Sequence, residues 1–428
     1  MLLCPYLLLL VSYGAHNNRA EGFAAAFPQR VQAEVCGQPT LATTVESAVE
    51  GAVRAGVKGS PELNLTFETP ICSPLFGNQK ATYFVRVLAT APNRVQAAGN
   101  VAVTIRNSGA TIGREPLLWF CNKPENLRTS GPLFDGTLSA GVPIRLLYHH
   151  QNRGSQPLYM RIELVNAAEK PAKVWIIPGD GRPNRDPIWS GLKAARIFLP
   201  SLIVGSGELI ELPAHSAQPI GFRRLVMGDT ASGLCTLKLA PGGPDTLEVR
   251  AEAIIPVRLA VDWASAMLDP APWHWVKAHP PYNRVASTYE ITPQIFLDPF
   301  VEAHLSADIG GLGSNLLFGV EGIPRQGGGR GLNGNYAVMH TFKVTLSNST
   351  PKPGHVEFWL DATTNYTAAV FAFPSQLIWL RPLQQHESKN FLSIPLAPGE
   401  HRSFKVESVP ISGGWYPATL RLKPVIDP

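Results

Sequence analysis

Two stretches of the chain, residues 161–175 (RIELVNAAEKPAKVW) and 343–357 (KVTLSNSTPKPGHVE), decide the fold. Aligned without a gap, they share the pattern L-x-N-x3-K-P-x2-V, which places Asn166 over Asn348 and Pro171 over Pro353. Further along, CTLKL follows the first copy and ATLRL follows the second at nearly the same distance from the asparagine. Chance rarely preserves such spacing, so the sequence predicts two copies of one module.

The repeated segment has the properties of a β-hairpin. Ile162 and Leu164 recur at every second position, the period of a half-buried strand. Asparagine tolerates a left-handed backbone and bonds to its own chain two residues on, so it begins a turn. The following Lys-Pro closes the loop, because proline has no N–H to give to a sheet. Further short strands at intervals of about 8–12 residues, separated by Pro-Gly and Gly-Gly turns, predict antiparallel β-sandwiches.

The composition agrees with an all-β protein. The 428 residues include 39 prolines and 38 glycines, and 16% are charged. Helix breakers spread so evenly are typical of strands joined by many turns. The formal net charge of +5 is spread thinly, without a Lys/Arg block, so we expect no nucleic-acid partner.

We divide the chain into five segments. They are a signal peptide at 1–26, a β-rich N-terminal region at 27–134, a first β-sandwich module at 135–256, a connector at 257–325 and a second β-sandwich module at 326–428. The connector is rich in proline, aromatic residues and glycine. Its YEI and VEAHLSAD segments are expected to add strands to the second module. In the N-terminal region, VTIRNS resembles VTLSNS of the second module, without the Lys-Pro.

The N-terminus predicts export. Leu2 to Val11 form an apolar run of the length found in signal peptides, and Ala24 to Ala26 offer a cleavage site, although cleavage near Ala20 is the alternative. No later run of ~18 apolar residues exists, so no membrane-spanning segment is expected in the mature chain. We therefore place the protein outside the cytoplasm: secreted, periplasmic or on the cell surface.

Four cysteines follow the predicted signal peptide, and four cysteines allow three disulfide pairings. We favour a Cys36–Cys72 bond, because both residues lie in the turn-rich N-terminal region. Cys235, inside a strand, is equally well explained as a free buried thiol.

Two adjacent histidines, His149 and His150, end the apolar run RLLYHH. Neighbouring strand residues point to opposite faces, so a regular strand cannot direct both rings at one metal ion. We interpret this stretch as the end of a core strand. If residues 151–158 are an insertion, His150 aligns with His340; otherwise those residues form a loop between two strands.

The segment PAPWHWVKAHPPYN is the best candidate contact site. Its aromatic side chains and imidazoles suit stacking on sugars or contact with a partner protein, while burial in an interdomain seam is the competing interpretation. The candidate residues are Trp273, His274, Trp275, His279 and Tyr282.

The hairpin with its Pro-Gly turn and following strand resembles the immunoglobulin-like modules of bacterial cell-surface and secreted proteins. The region from PENL through LLYHHQN also resembles exported bacterial proteins that carry a domain of unknown function. The resemblance implies an adhesive, spacer or envelope role and carries over no catalytic residue.

The predicted function is that of a non-enzymatic structural or adhesive protein outside the cytoplasm, such as a subunit of a cell-surface assembly, with no cofactor and no metal. Its predicted partners are other envelope or surface proteins, copies of itself, or a polysaccharide. Flat sheet edges favour the protein partners, because they invite strand addition. Two alternatives stay open: a carbohydrate-binding protein that uses the aromatic segment, and a His- or metal-dependent hydrolase at His149/His150.

Overall fold

A computed structural model describes residues 23–59, 63–91, 94–255, 278–281, 284–285, 291, 293–320 and 322–428. The fold is all-β, as predicted: antiparallel sheets dominate, and two α-helices pack against them. Four strand pairs of the described chain are parallel: one in the N-terminal part of the molecule, two in the first sandwich and one in the second sandwich.

The N-terminal unit is a sheet with one helix on its inner face. The helix and the sheet enclose a small core of valines, and the strand Arg30–Cys36 runs parallel to the strand Ala97–Asn107. Its elements are β1 (Ala25–Ala26), β2 (Arg30–Cys36), α1 (Ala42–Gly56), β3 (Lys58–Gly59), β4 (Asn64–Glu68), β5 (Lys80–Thr90) and β6 (Ala97–Asn107).

Strand β1 bears on the predicted cleavage site. It pairs with β3, and the preceding Ala24 is buried. Cleavage after Ala26 would therefore remove part of the N-terminal unit, whereas cleavage near Ala20 would leave it whole. Residues 1–22 lie outside the described part of the chain.

The first sandwich packs two sheets around a large aliphatic core. Its elements are β7 (Leu117–Cys121), β8 (Asn126–Leu127), β9 (Gly131–Ser139), β10 (Pro143–Asn152), β11 (Leu158–Asn166), β12 (Ala172–Asn184), α2 (Pro187–Val204), β13 (Gly207–Leu212), β14 (Ser216–Leu225), β15 (Thr230–Leu239) and β16 (Thr246–Ile254). One sheet has the order β7-β10-β15-β12-β13 and the other β14-β11-β16-β9. Because β13 also pairs with β2, the first sheet continues into the N-terminal unit as one eleven-stranded sheet.

The second sandwich begins in the predicted connector. The remaining strands are β17 (Gln294–Leu297), β18 (Phe300–Ile309), β19 (Asn315–Phe318), β20 (Met339–Asn348), β21 (Gly354–Asp361), β22 (Thr367–Phe373), β23 (Gln376–Leu383), β24 (Ser388–Leu396), β25 (His401–Ser408) and β26 (Ala418–Ile426). Its sheets have the orders β18-β20-β25-β22-β23 and β19-β26-β21-β24. The VEAHLSAD segment lies in β18, whereas β17 pairs with β7 of the first sandwich. The connector thus supplies strands to both sandwiches.

Helix α2 was not anticipated from the sequence, although its ends carry standard signals. The Asp186 carboxylate accepts a hydrogen bond from the Ile188 N–H, and Gly205 ends the helix in a left-handed conformation. The helix lies against β12 because Gly179 and Gly181 have no side chain. A Cβ at Gly179 would lie 2.4 Å from the Phe198 Cβ.

The repeat is visible in the strand pairing. Strands β11, β12, β13, β14 and β15 pair among themselves as β20, β21, β24, β25 and β26 do in the second sandwich. The register matches as well: Ala172 faces Leu212 as Gly354 faces Leu396.

The two aligned asparagines make the same hydrogen bonds in both sandwiches. The Nδ2 of Asn166 donates to the Lys170 carbonyl at 2.8 Å, and its Oδ1 accepts from the backbone N–H two residues on. Asn348 does the same, donating to Lys352 at 2.9 Å. Each amide also donates to the backbone of the β13 or β24 strand end, so it joins its own turn to a neighbouring strand. We call this arrangement the asparagine clamp.

Two further clamps lie outside the aligned repeat. Asn107, in the VTIRNS segment, donates to the carbonyls of Gly37 and Leu75, and Asn152 donates to those of Gln156 and Leu225. In both, Oδ1 accepts from the N–H two residues on, and all four clamp asparagines are fully buried.

A buried arginine joins the two sandwiches. Arg145 on β10 is fully buried and forms an ion pair with Glu115 at 2.8 Å. Its guanidinium also donates to the carbonyls of Ala337 at 2.7 Å and Pro299 at 3.2 Å, both beside the second sandwich. The Glu115 carboxylate also accepts a hydrogen bond from the Thr236 hydroxyl. We call this cluster the arginine joint.

The predicted Cys36–Cys72 disulfide is not formed. Both residues are free thiols, as are Cys121 and Cys235. The Cys36 Sγ faces the Gly205 carbonyl, and the Cys72 Sγ faces that of Pro70. The turn-rich surroundings did not indicate that Cys36 is the buried end of a strand.

Candidate functional site

The adjacent histidines lie on β10, a strand buried along its whole length. The core between the sheets of the first sandwich takes Leu146 and Tyr148, while Leu147 faces the α2 side. The predicted alternation of faces is therefore correct. The His150 ring contacts the Pro124 carbonyl at 2.9 Å and the Cys121 Sγ at 3.2 Å, and both ring nitrogens of His149 lack a hydrogen-bond partner among the described residues.

Burial keeps these rings neutral. It lowers the pKa of His149 to about 3, with a smaller contribution from His150, and lowers the pKa of His150 to about 4. No three His, Cys, Asp or Glu side chains of the described chain are placed to hold a metal ion. A general base works best with a pKa near the working pH. The geometry at His149 and His150 therefore gives the hydrolase alternative no support.

The proposed alignment of His150 with His340 is wrong. His150 lies on β10, whereas His340 lies on β20, which corresponds to β11. Gln151 and Asn152 end β10, and residues 153–157 form a loop to β11 in the other sheet, which agrees with the second interpretation. His340 is also buried, and desolvation lowers the pKa of its imidazole to about 3.

Of the aromatic segment, the structure describes His279. Its backbone N–H and carbonyl both pair with Ala217 at the end of β14, and its Nε2 lies 3.3 Å from a Glu163 oxygen. His279 is thus attached to the β14-β11-β16-β9 sheet of the first sandwich. Trp273, His274, Trp275 and Tyr282 lie outside the described residues, so sugar or partner contact through them stays a prediction.

A buried charge cluster, missed by the sequence reasoning, lies beneath His279. Arg161 is paired with Glu252 at 2.6 Å and with Glu163 at 3.3 Å, and Arg250 lies 3.2 Å from Glu163. Burial alone would raise the pKa of Glu163. The His279 hydrogen bond and the two arginine charges outweigh burial and lower that pKa. The alternating charged residues of β11 and β16 are as typical of a solvent-exposed sheet face as of a buried charge cluster. The sequence alone therefore did not predict the cluster.

A cleft of about 1030 Å³ lies where the N-terminal unit, the first sandwich and the second sandwich meet. It runs along β12 beyond Ile176, where β13 no longer pairs with that strand. Its apolar walls comprise Leu41, Ala42, Pro74, Pro178, Ile197, Pro200 and Leu377. Its polar lining comprises Thr43, Thr44, Ser47, Asp180, Arg182, Lys193, Arg196, Ser201, Glu208 and Arg223.

Four of the cleft residues are cationic and two are acidic, and the acids are already engaged. Asp180 forms an ion pair with Arg223 and accepts a hydrogen bond from Tyr148 at 2.9 Å, while Glu208 accepts from the Ser47 hydroxyl. The cleft therefore carries an excess of positive charge beside apolar walls. The sequence alone predicted neither the positive charge nor the apolar walls of the cleft, because its lining residues come from segments that are distant in the chain.

No known family and no curated protein matches this sequence. Among solved structures, the chain is similar to a turret protein of Sulfolobus turreted icosahedral virus, with 10% identity over 70% of this chain and 100% of that chain, at a TM-score of 0.14. It is also similar to the M60 catalytic domain with two CBM51 domains from Clostridium perfringens ZmpB, with 6% identity over 85% of this chain and 43% of that chain (TM-score 0.14). A third is a CBM22 tandem domain from Paenibacillus barcinonensis, with 9% identity over 70% of this chain and 97% of that chain (TM-score 0.12). At such scores these similarities carry no argument about function.

Neither described helix is long and apolar enough to cross a membrane.

Proposed function

We propose that the protein is a non-enzymatic structural or adhesive protein outside the cytoplasm, a subunit of a cell-surface assembly. In this role it contacts other envelope proteins or copies of itself.

The observation that carries the proposal is the hydrophobic core that the three units share. One hydrophobic cluster contains residues from every unit, among them Cys36, Phe198, Val338 and Val370. The arginine joint lies beside it and is sealed from water. Separating the sandwiches would break the hydrogen bonds that the Arg145 guanidinium donates to the Ala337 and Pro299 carbonyls, so this joint resists their separation. A fixed spatial relation between units is what a load-transmitting or spacing protein requires.

Complementation of cells that lack the protein tests the proposal. His149→Leu removes a ring without hydrogen-bond partners among the described residues, and we expect it to restore the phenotype fully. Arg145→Met loosens the joint and should restore it poorly at the same protein level. The opposite pattern, with His149→Leu inactive and Arg145→Met active, would favour a hydrolase and overturn the proposal.

A further inference from the structure

We propose that the cleft between the three units binds a small amphiphilic anion, with an acidic head group on an elongated apolar body. This inference goes beyond the structural role, which neither requires nor excludes a bound ligand.

The size of the cleft fits such a ligand. Pockets of ~300–1,000 Å³ hold ligands of ordinary small-molecule size, and the cleft reaches about 1030 Å³. Its floor follows the second half of β12, and α1, α2 and the start of β23 form its walls. These elements are held in place by the continuous sheet and the shared core, so the cleft is preformed. Binding a ligand therefore costs little conformational entropy in the protein.

The apolar walls specify the body of the ligand. They are aliphatic side chains and prolines from three separate elements, and none of the lining residues is aromatic. Ile197 on α2 lines the cleft and keeps 52% of its surface exposed, so it offers apolar surface that a ligand would cover. An acyl chain covers aliphatic walls well, whereas a sugar ring would require an aromatic platform for stacking.

The cations specify the head group. Arg182 and Lys193 have no ion-pair partner within the described chain, although both line the cleft. The Arg196 guanidinium lies over the Trp379 ring, 4.2 Å from its centroid, and this contact restricts its orientation. Arg223 is held by Asp180, and its Nε has no hydrogen-bond partner among the described residues. An acidic head group would receive charge-assisted hydrogen bonds from several of these groups at once.

Titration calorimetry on the full-length protein tests this assignment. The probes are dodecanoate and dodecyl phosphate, compared with dodecyltrimethylammonium and inorganic phosphate, all below the concentration at which micelles form. We expect one anionic amphiphile per chain, bound at least ~10-fold more tightly than the cationic one, with inorganic phosphate weaker than either anionic chain. Preference between dodecanoate and dodecyl phosphate distinguishes a carboxylate from a phosphate head group.

Matched variants locate the site. Lys193→Gln and Ile197→Glu should each weaken binding ~10-fold, and Lys193→Arg should retain it. The controls are Lys80→Gln on the N-terminal sheet and Ile203→Glu on α2, which lies on the same helix outside the cleft lining; both should bind as the wild type does. Equal affinity for the cationic amphiphile, absence of binding by both anionic chains, or unchanged affinity of both cleft variants would overturn the proposal.

Discussion

Replacing Asn348 with alanine removes the clamp of the second sandwich. The amide donates to Lys352 at 2.9 Å and to Leu396 at 3.2 Å, and its oxygen accepts from the Thr350 N–H at 3.0 Å and hydroxyl at 2.7 Å. A hydrogen bond contributes a net ~1 kcal/mol, and a buried group left unpaired costs ~1–3 kcal/mol. The Leu396 carbonyl is buried, whereas water can reach the Lys352 turn. The free energy of unfolding should therefore fall by about 3 kcal/mol.

Hydrogen exchange measured by mass spectrometry can test this value, because it reports β20 and β21 separately from the rest of the chain. A loss of about 3 kcal/mol should speed their exchange ~100-fold. Asn348→Asp, which replaces the donor with a buried charge facing carbonyl oxygens, should be at least as damaging. The control is Asn365→Ala in the same sandwich, which loses one exposed local hydrogen bond. If Asn348→Ala exchanges no faster than Asn365→Ala, the clamp does not stabilise the module.

The remaining predictions concern titration, the joint and the thiols. His149, His150 and His340 are neutral when folded, with pKa values of about 3, 4 and 3, but have a pKa of ~6.5 when unfolded. Because the folded pKa values of these histidines are depressed, the histidines lower the stability of the folded protein as the pH falls from ~6.5 towards 4, and unfolding at pH 5.5 should take up ~3 protons. In potentiometry, the His149→Leu variant should take up about one proton fewer on unfolding. An unchanged proton uptake would contradict the burial of the His149 ring. Arg145→Met should lower the free energy of unfolding by ~3–5 kcal/mol in denaturant titrations, and adding Glu115→Gln should recover part of that loss; no recovery would show that the ion pair is not what the joint depends on. Alkylation of the unfolded protein without reductant, followed by peptide mapping, should modify all four described cysteines, and a protected pair would reveal a disulfide.

The repeat was predictable because its signals are local. Strand alternation, the turn-forming asparagine and the Lys-Pro all lie within fifteen residues, and the same signals recur at residue 343. The extent of Asn166's contacts was not predictable, since its second carbonyl partner comes from Leu212, 46 residues away.

The joint and the cleft could not be predicted for the same physical reason. Arg145 looks like an exposed charge in an apolar strand, and its partners lie 30, 154 and 192 residues away. Sequence patterns report the neighbours along a strand, whereas such burial depends on which distant segments pack against it.

Helix α2 illustrates a different limit. Asp186 and Pro187 are recognisable start signals, but Pro200 inside the helix and the abundance of breakers elsewhere favoured strands and turns. Packing of Phe198 and its neighbours against the glycines of β12 outweighs the weak local propensity.

The most direct test of the structural role is the state of the protein in its own cells. Intact cells would be treated with a protease that cannot enter them, and the gently extracted protein would then be sedimented through a density gradient. The account predicts that the protein is accessible from outside and sediments in an assembly much larger than its 46.3 kDa chain. A protected protein that sediments as a single chain would contradict it.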